Sequence, residues 1–196
     1  MKQILLIHGG DSFSSYDAYI TSLKNMAIDY ERLKPKQKWK TWLIDQLPGC
    51  DVLLPTLPNG FNAAYDEWVI YFEKLLPYFG NDIRLVGHSL GAMFLAKYLH
   101  THILPQKVRQ LILIAGQYGT PENDDVGSFV VESATGLDNS AEEIHLFYSA
   151  DDPVIDFASV HKFKKDIPSA VSHEFTDRGH FLQPEFPELL AVLKQK

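Results

Sequence analysis

The sequence predicts an α/β fold: a mostly parallel sheet with helices on both faces. Short apolar runs alternate with longer amphipathic segments along the 196 residues, the pattern of repeated strand–helix units. Ile4–Ile7 and Leu111–Ile114 are apolar at consecutive positions, as strands buried on both faces should be. The run Ile83–Val86 passes through Gly87-His88-Ser89-Leu90-Gly91 into a helical pattern, so a tight strand-to-helix turn is expected mid-chain.

In chain order, the first strand, Gln3–His8, carries the first apolar run and ends at Gly9-Gly10. Amphipathic segments at Ala18–Asn25 and Lys36–Gln46 read as helices, the second holding Trp42-Leu43. Asp51–Leu54 is a short strand stopped by Pro55, and Ala64–Leu76 a helix. The strand Ile83–Val86 leads to the helix Ala92–His102, then the strand Gln110–Ala115. The strand Ile144–Tyr148, helix Ala158–Asp166, strand Ser172–Phe175 and helix Pro187–Gln195 complete the alternation. Right-handed crossovers are expected throughout. Gln117–Ala141 breaks the rhythm, with Gly119, Pro121, Gly127 and Gly136 among polar residues. It reads as a long excursion of the kind used for lids, binding loops or mobile segments.

Composition bounds the function. The length fits one domain, residues 1–196, and 45% hydrophobic with 22% charged residues is ordinary for a soluble globular protein. A net charge of −7 argues against a nucleic-acid partner, because phosphate binding needs concentrated positive charge. Glu122, Asp124 and Asp125 read as a solvated loop cluster. The single cysteine, Cys50, allows no internal disulfide, and a reducing compartment follows. The apolar stretch Ile4–Ile7 ends in His8-Gly9-Gly10 rather than a cleavage site. No apolar run approaches the roughly 18 residues of a membrane-spanning helix. A cytoplasmic protein is therefore expected.

Strand, then G-x-S-x-G, then helix is the setting of a nucleophile elbow. Glycines at both flanks relieve the crowding of the turn, so that the Ser89 Oγ projects outward. A serine hydroxyl needs a general base, and a histidine base needs a carboxylate to fix its tautomer. In a hydrolase with such an elbow the chain order is Ser, then Asp, then His. Asp151 and Asp152 follow the strand Ile144–Tyr148 and compete for the acid. Asp152 is preferred because Pro153 biases it towards an extended conformation. Of the eight histidines, only His180 combines that order with the carboxyl edge of the sheet and a glycine-hinged loop, Gly179-His180-Phe181. His100, His102 and His161 fall on helices, and His145 and His173 in or near strands. His8 comes too early, and the His88 side chain should point away from the Oγ. The oxyanion donors are expected to be the backbone N–H groups of Leu90 and Gly10. The glycine pair Gly9-Gly10 lacks the pattern of a phosphate loop.

With these residues in place, the chain resembles an α/β-hydrolase. More narrowly, it resembles the small serine hydrolases of the retinoblastoma-binding protein 9 and YdeN type. The resemblance rests on the Gly-rich turn after the first strand, Trp42-Leu43, Leu54-Pro55-Thr56-Leu57-Pro58 and Gly87-His88-Ser89. It continues through Phe147-Tyr148-Ser149-Ala150-Asp151-Asp152-Pro153 and Phe175-Thr176-Asp177-Arg178-Gly179-His180-Phe181. It implies a reduced sheet of about six strands in order 2-1-3-4-5-6, no large cap domain, and a triad at Ser89, Asp152 and His180. Two departures stand out: a longer first helical region, Asp11–Gln46, with the basic run Arg32–Lys40, and Tyr148 where glycine is common. Binding of the retinoblastoma protein is not carried over.

The expected chemistry is hydrolysis of small carboxylic esters through an acyl-enzyme, with a small-molecule acyl substrate as partner. Phe13, Tyr16, Tyr118 and Phe129 are pocket candidates by loop position, each with core or loop packing as the alternative. No cofactor is implied, and no metal-ligand spacing such as H-E-x-x-H occurs. The same triad would also serve a thioesterase, amidase or peptidase. A non-catalytic binding protein on this fold is the alternative from another class.

Overall fold

The computed structural model describes residues 1–121 and 125–195. Glu122 and Asp124 of the acidic loop lie outside them. Six parallel strands form one sheet in the order β2-β1-β3-β4-β5-β6, the order implied by the resemblance. They are β1 Gln3–Ile7, β2 Asp51–Leu53, β3 Ile83–His88, β4 Val108–Ile114, β5 Ala141–Ser149 and β6 Val171–Phe175. Seven α-helices are described: α1 Tyr16–Asn25, α2 Tyr30–Leu33, α3 Trp39–Gln46, α4 Tyr65–Glu73, α5 Leu90–Thr101, α6 Ala158–Asp166 and α7 Pro187–Lys194.

The centre of the sheet is its driest part. Every residue of β3 is buried, and β4 is buried at all positions but Arg109. Each such Leu or Ile contributes about 1.5–3 kcal/mol by leaving water. Helix α5 buries nine residues, from Leu90 to Leu99, so it is apolar nearly all round, as a helix enclosed by its neighbours must be. Against it lie Trp68 and Phe72 of α4, both edge-on to its Phe94, with Trp68–Phe94 centroids 5.6 Å apart and Phe72–Phe94 centroids 5.3 Å apart. This packing fixes the helix whose first turn carries Ser89.

Four expectations need correction. The helix over Lys36–Gln46 begins only at Trp39. Pro35 disfavours a helical Lys34, and Lys34 and Lys38 are both extended. Strand β3 runs on through Gly87 and His88, which pair with Leu113 and Ile114 of β4. The excursion after β4 is not a loose flap over its described part. Val126, Phe129, Val131, Ala134 and Leu137 are all buried in the core, and two 3-10 turns, Gly127–Phe129 and Leu137–Asn139, shape it. Nor is Asp125 simply solvated: it accepts bonds from the Ser14 amide and hydroxyl, both at 2.7 Å.

Three histidines are held neutral by burial. The His145 and His173 rings meet at 3.1 Å, and desolvation lowers both pKa values. Burial lowers that of His88 well below its ordinary value, with Lys40 adding to it. The unfolded chain, with histidines near 6.5, therefore binds more protons than the folded one as pH drops below that value. Stability present above pH 6.5 is lost on acidification. The melting temperature is therefore expected to fall between pH 7 and pH 5. Thermal unfolding across that range measures it, and a flat profile would contradict the assignment.

Candidate active site

The site lies where β1, β3, β5 and β6 end. Ser89 follows β3 directly and has φ 56°, ψ −123°, a left-handed conformation that costs a non-glycine residue on the order of 1–3 kcal/mol. The neighbours enforce it. A Cβ on Gly87 would stand 2.5 Å from the Gly91 carbonyl oxygen, and one on Gly91 would stand 2.5 Å from that of Ile7. The Ser89 amide donates to the Ile114 carbonyl at 2.8 Å, tying the turn to β4. Among the described residues the Ser89 Oγ has no hydrogen-bond partner.

The loop after β1 packs onto this turn. A Cβ on Gly9 would lie 2.9 Å from Ser89 Cβ, and one on Gly10 would lie 2.5 Å from the Gly60 carbonyl oxygen, so only glycine fits at both. His8 organises the loop. Its Nε2 accepts from the Leu57 amide at 2.8 Å, so Nδ1 carries the proton and donates to the Gly9 carbonyl at 2.6 Å. The C=O and N–H of a trans peptide point in opposite directions. Holding the Gly9 carbonyl back towards His8 therefore turns the Gly10 N–H the other way. Among the described residues no group accepts the N–H of Gly10 or of Leu90. His8, set aside in the sequence for its early position, is thus a positioning residue of the expected oxyanion loop. Its signal was the bare His8-Gly9 step.

Asp152 and His180 meet at the ends of β5 and β6. His180 Nδ1 lies 2.9 Å from Asp152 Oδ2 and 3.1 Å from Oδ1, with side-chain exposures of 12% and 3%. The Asp152 Oδ1 also accepts from the Val154 and Ile155 amides at 2.8 and 3.1 Å, which fixes the carboxylate. Asp151 points elsewhere. It accepts from the Ser149 hydroxyl and, at 2.9 Å, from the Gly179 amide, and these bonds lower its pKa. The Ser149 Oγ in turn accepts from the Arg178 amide at 3.1 Å. Asp151 therefore clamps the acid loop to the histidine loop. Asp152 and His180 are brought together; no hydrogen bond joins His180 to Ser89 in this structure.

His88 points away from the Oγ, as expected. It is buried, its Nε2 donates to the His180 carbonyl at 2.9 Å, and its Nδ1 lies 3.4 Å from Lys40 Nζ. Of the four pocket candidates, Phe13 and Tyr16 line an open hollow of about 830 Å³ beside Gly60, together with Tyr19, Phe61 and Glu67. Tyr118 and Phe129 serve packing instead. Tyr118 lies edge-on to Phe163 at 5.0 Å and donates to Asp166 at 2.5 Å. Phe129 is fully buried beside Trp68, with centroids 5.0 Å apart. Among the described residues no group of three or more His, Cys, Asp or Glu side chains could hold a metal ion, and no helix is long and apolar enough to cross a membrane.

Comparison with known proteins places the chain in a family. The family model for serine hydrolases matches residues 30–189. The rat protein "Serine hydrolase RBBP9" is 29% identical over 163 residues, 80% of this chain and 84% of that one. Among solved structures, the ydeN gene product of B. subtilis superposes with a TM-score of 0.77 at 21% identity, over 98% of this chain and 97% of that one. A YdeN-like hydrolase from Pectobacterium atrosepticum gives 0.66 at 15% identity, over 98% and 90%. The six-stranded parallel sheet of these likenesses is the α/β-hydrolase fold, and the family match covers the elbow and both loops beyond it. The chain belongs to the serine hydrolase family, as an α/β-hydrolase of the RBBP9 and YdeN type.

Proposed function

We propose that this chain hydrolyses small carboxylic esters, with Ser89 as nucleophile, His180 as general base and Asp152 as its orienting acid. The observation that carries the reading is the Asp152–His180 bond of 2.9 Å at the same sheet edge as a strained serine. Asp152 holds the proton of His180 on Nδ1, which leaves the Nε2 lone pair as the base. The Ser89 Oγ adds to the ester carbonyl as its proton passes to Nε2. The N–H groups of Gly10 and Leu90 take the oxyanion, and the start of α5 adds its positive pole. Collapse breaks the bond to the alcohol, which leaves with the proton from Nε2. Water then repeats the sequence on the acyl-enzyme and frees the acid and Ser89. Catalytic hydrogen bonds of a substrate-free site often form fully only in the complex, which accommodates the missing Ser89–His180 bond.

The hollow beside Gly60 receives the acyl or alcohol part. Phe13, Tyr16, Tyr19 and Phe61 offer aromatic surface to a compact group rather than a long chain. Cys50 as the single cysteine fits a reducing, cytoplasmic setting. Two measurements test the proposal. A fluorophosphonate probe should label the wild-type protein at Ser89; absence of labelling removes the nucleophile and leaves a binding protein on a hydrolase fold. Matched p-nitrophenyl ester, thioester and anilide substrates should be cleaved in that order of preference, fastest for short acyl groups. A thioester or anilide cleaved faster than the ester would reassign the bond while keeping the triad.

A further inference from the structure

A second concave feature of the molecule is not used by this chemistry. A cavity of about 1050 Å³ is lined by Lys34, Lys36, Lys38 and Lys40, with buried His88 against it and exposed Leu33 and Leu182 at its outer side. Charge is concentrated there against the trend of the chain. Residues 32–40 hold five of the 18 lysines and arginines and none of the 25 aspartates and glutamates. Lys34 and Lys38 sit on extended backbone and Lys40 in the first turn of α3, and all four lysines line the cavity. Lys34 is paired with Glu31 at 2.7 Å. Among the described residues, no carboxylate forms an ion pair with Lys36, Lys38 or Lys40.

Lys40 is the informative member. It is half-buried, with its Nζ 3.4 Å from His88 Nδ1 and 5.4 Å from the Trp39 ring centroid. Burial, with Lys38 adding to it, lowers its pKa to about 8. An ammonium withdrawn from water without a counter-ion is costly, and an anion entering the cavity would relieve that cost. Helix α3 starts at Trp39 with no side-chain cap from Lys38, so its positive pole adds to the same field. The inner wall also holds the catalytic loop. His88 donates to the His180 carbonyl, and Trp39 Nε1 donates to the Phe181 carbonyl at 2.8 Å.

We propose that this cavity binds a phosphate-bearing small molecule, behind the loop that carries His180. Three ammonium groups without carboxylate partners suit a multiply charged anion better than a single carboxylate. Leu33, Leu182 and Pro184 offer apolar surface to an organic substituent. The binding claim is independent of the esterase reading.

The test is calorimetric titration of phenyl phosphate into the wild type, the double variant Lys36→Gln/Lys38→Gln and Lys40→Gln. Lys36 and Lys38 are exposed on a segment without regular structure, so the double variant leaves the fold intact. Affinity should fall about tenfold or more in each, and wild-type binding should weaken as salt rises. Phenyl phosphate bound equally by all three proteins would place it at the Ser89 site and overturn the proposal. So would no binding at all. Sedimentation with phosphatidylcholine vesicles carrying phosphatidic acid separates the sources: vesicle binding without phenyl phosphate binding would make the basic segment a membrane-facing surface and reject the small-molecule site. Because binding is read without turnover, a failed esterase assay leaves this result standing.

Discussion

Ser89→Ala is expected to lower kcat for ester hydrolysis by about 10⁵–10⁶ while leaving the melting temperature within about 2 °C of the wild type. The two halves of this outcome have separate causes. The Oγ has no hydrogen-bond partner among the described residues, so its loss removes no hydrogen bond described there. Alanine retains the Cβ that sits 2.9 Å from the position a Gly9 Cβ would occupy, and the turn is still imposed by Gly87, Gly91 and the Ser89 amide bond to Ile114. The chemistry has no substitute, because among residues of the elbow only Ser89 presents a hydroxyl. Steady-state kinetics beside thermal unfolding measure both. Residual activity above about a tenth of wild type would remove Ser89 from the mechanism.

Asp152→Asn should cost about 10⁴ in kcat, the scale of a histidine held in the wrong tautomer. The structure gives the reason atom by atom. Oδ1 is committed to two amide donors, Val154 and Ile155, so an asparagine would keep its oxygen there and place its NH₂ at the Oδ2 position. That group would donate to His180 Nδ1, drive the imidazole proton to Nε2 and remove the lone pair that receives the Ser89 proton. Asp151→Asn is expected to change kcat by less than about tenfold, because its bonds go to Ser149 and Gly179 rather than to the imidazole. Parallel kinetics on the two variants decide the assignment; the reverse ranking would move the acid to Asp151.

The sheet was legible because its central strands are apolar on both faces, and that pattern survives without any knowledge of the tertiary structure. Boundaries were less so. Gly87 and His88 look like the turn itself, yet backbone pairing to Leu113 and Ile114 is indifferent to their side chains and extends β3 through them. Lys36 to Lys38 lack the apolar period of a helix, and the helical pattern begins only at Trp39. The strained turn at Ser89, the glycines around it and the meeting of Asp152 with His180 could be read locally, because each is set by its own turn. His8 and His88 could not. The partners of His8 include Leu57, on another loop, and His88 reaches a carbonyl 92 positions further on. Tyr118 and Phe129 failed as pocket candidates for a related reason: an aromatic residue in an irregular segment does not disclose which side of its ring meets the core.

The clamp at Asp151 makes the Asp152 carboxylate and the His180 imidazole one mechanical part. The Ser149 hydroxyl, the Asp151 carboxylate and the amides of Arg178 and Gly179 bolt the end of β5 to the loop after β6, alongside the Asp152–His180 bond itself. A displacement of the imidazole relative to Ser89 then carries its carboxylate with it, and the proton on Nδ1 keeps its owner throughout. The adjustable joint of the machine lies between that paired unit and the elbow, not within the pair. Grafting or tuning this chemistry would mean moving the two loops together as a single cassette.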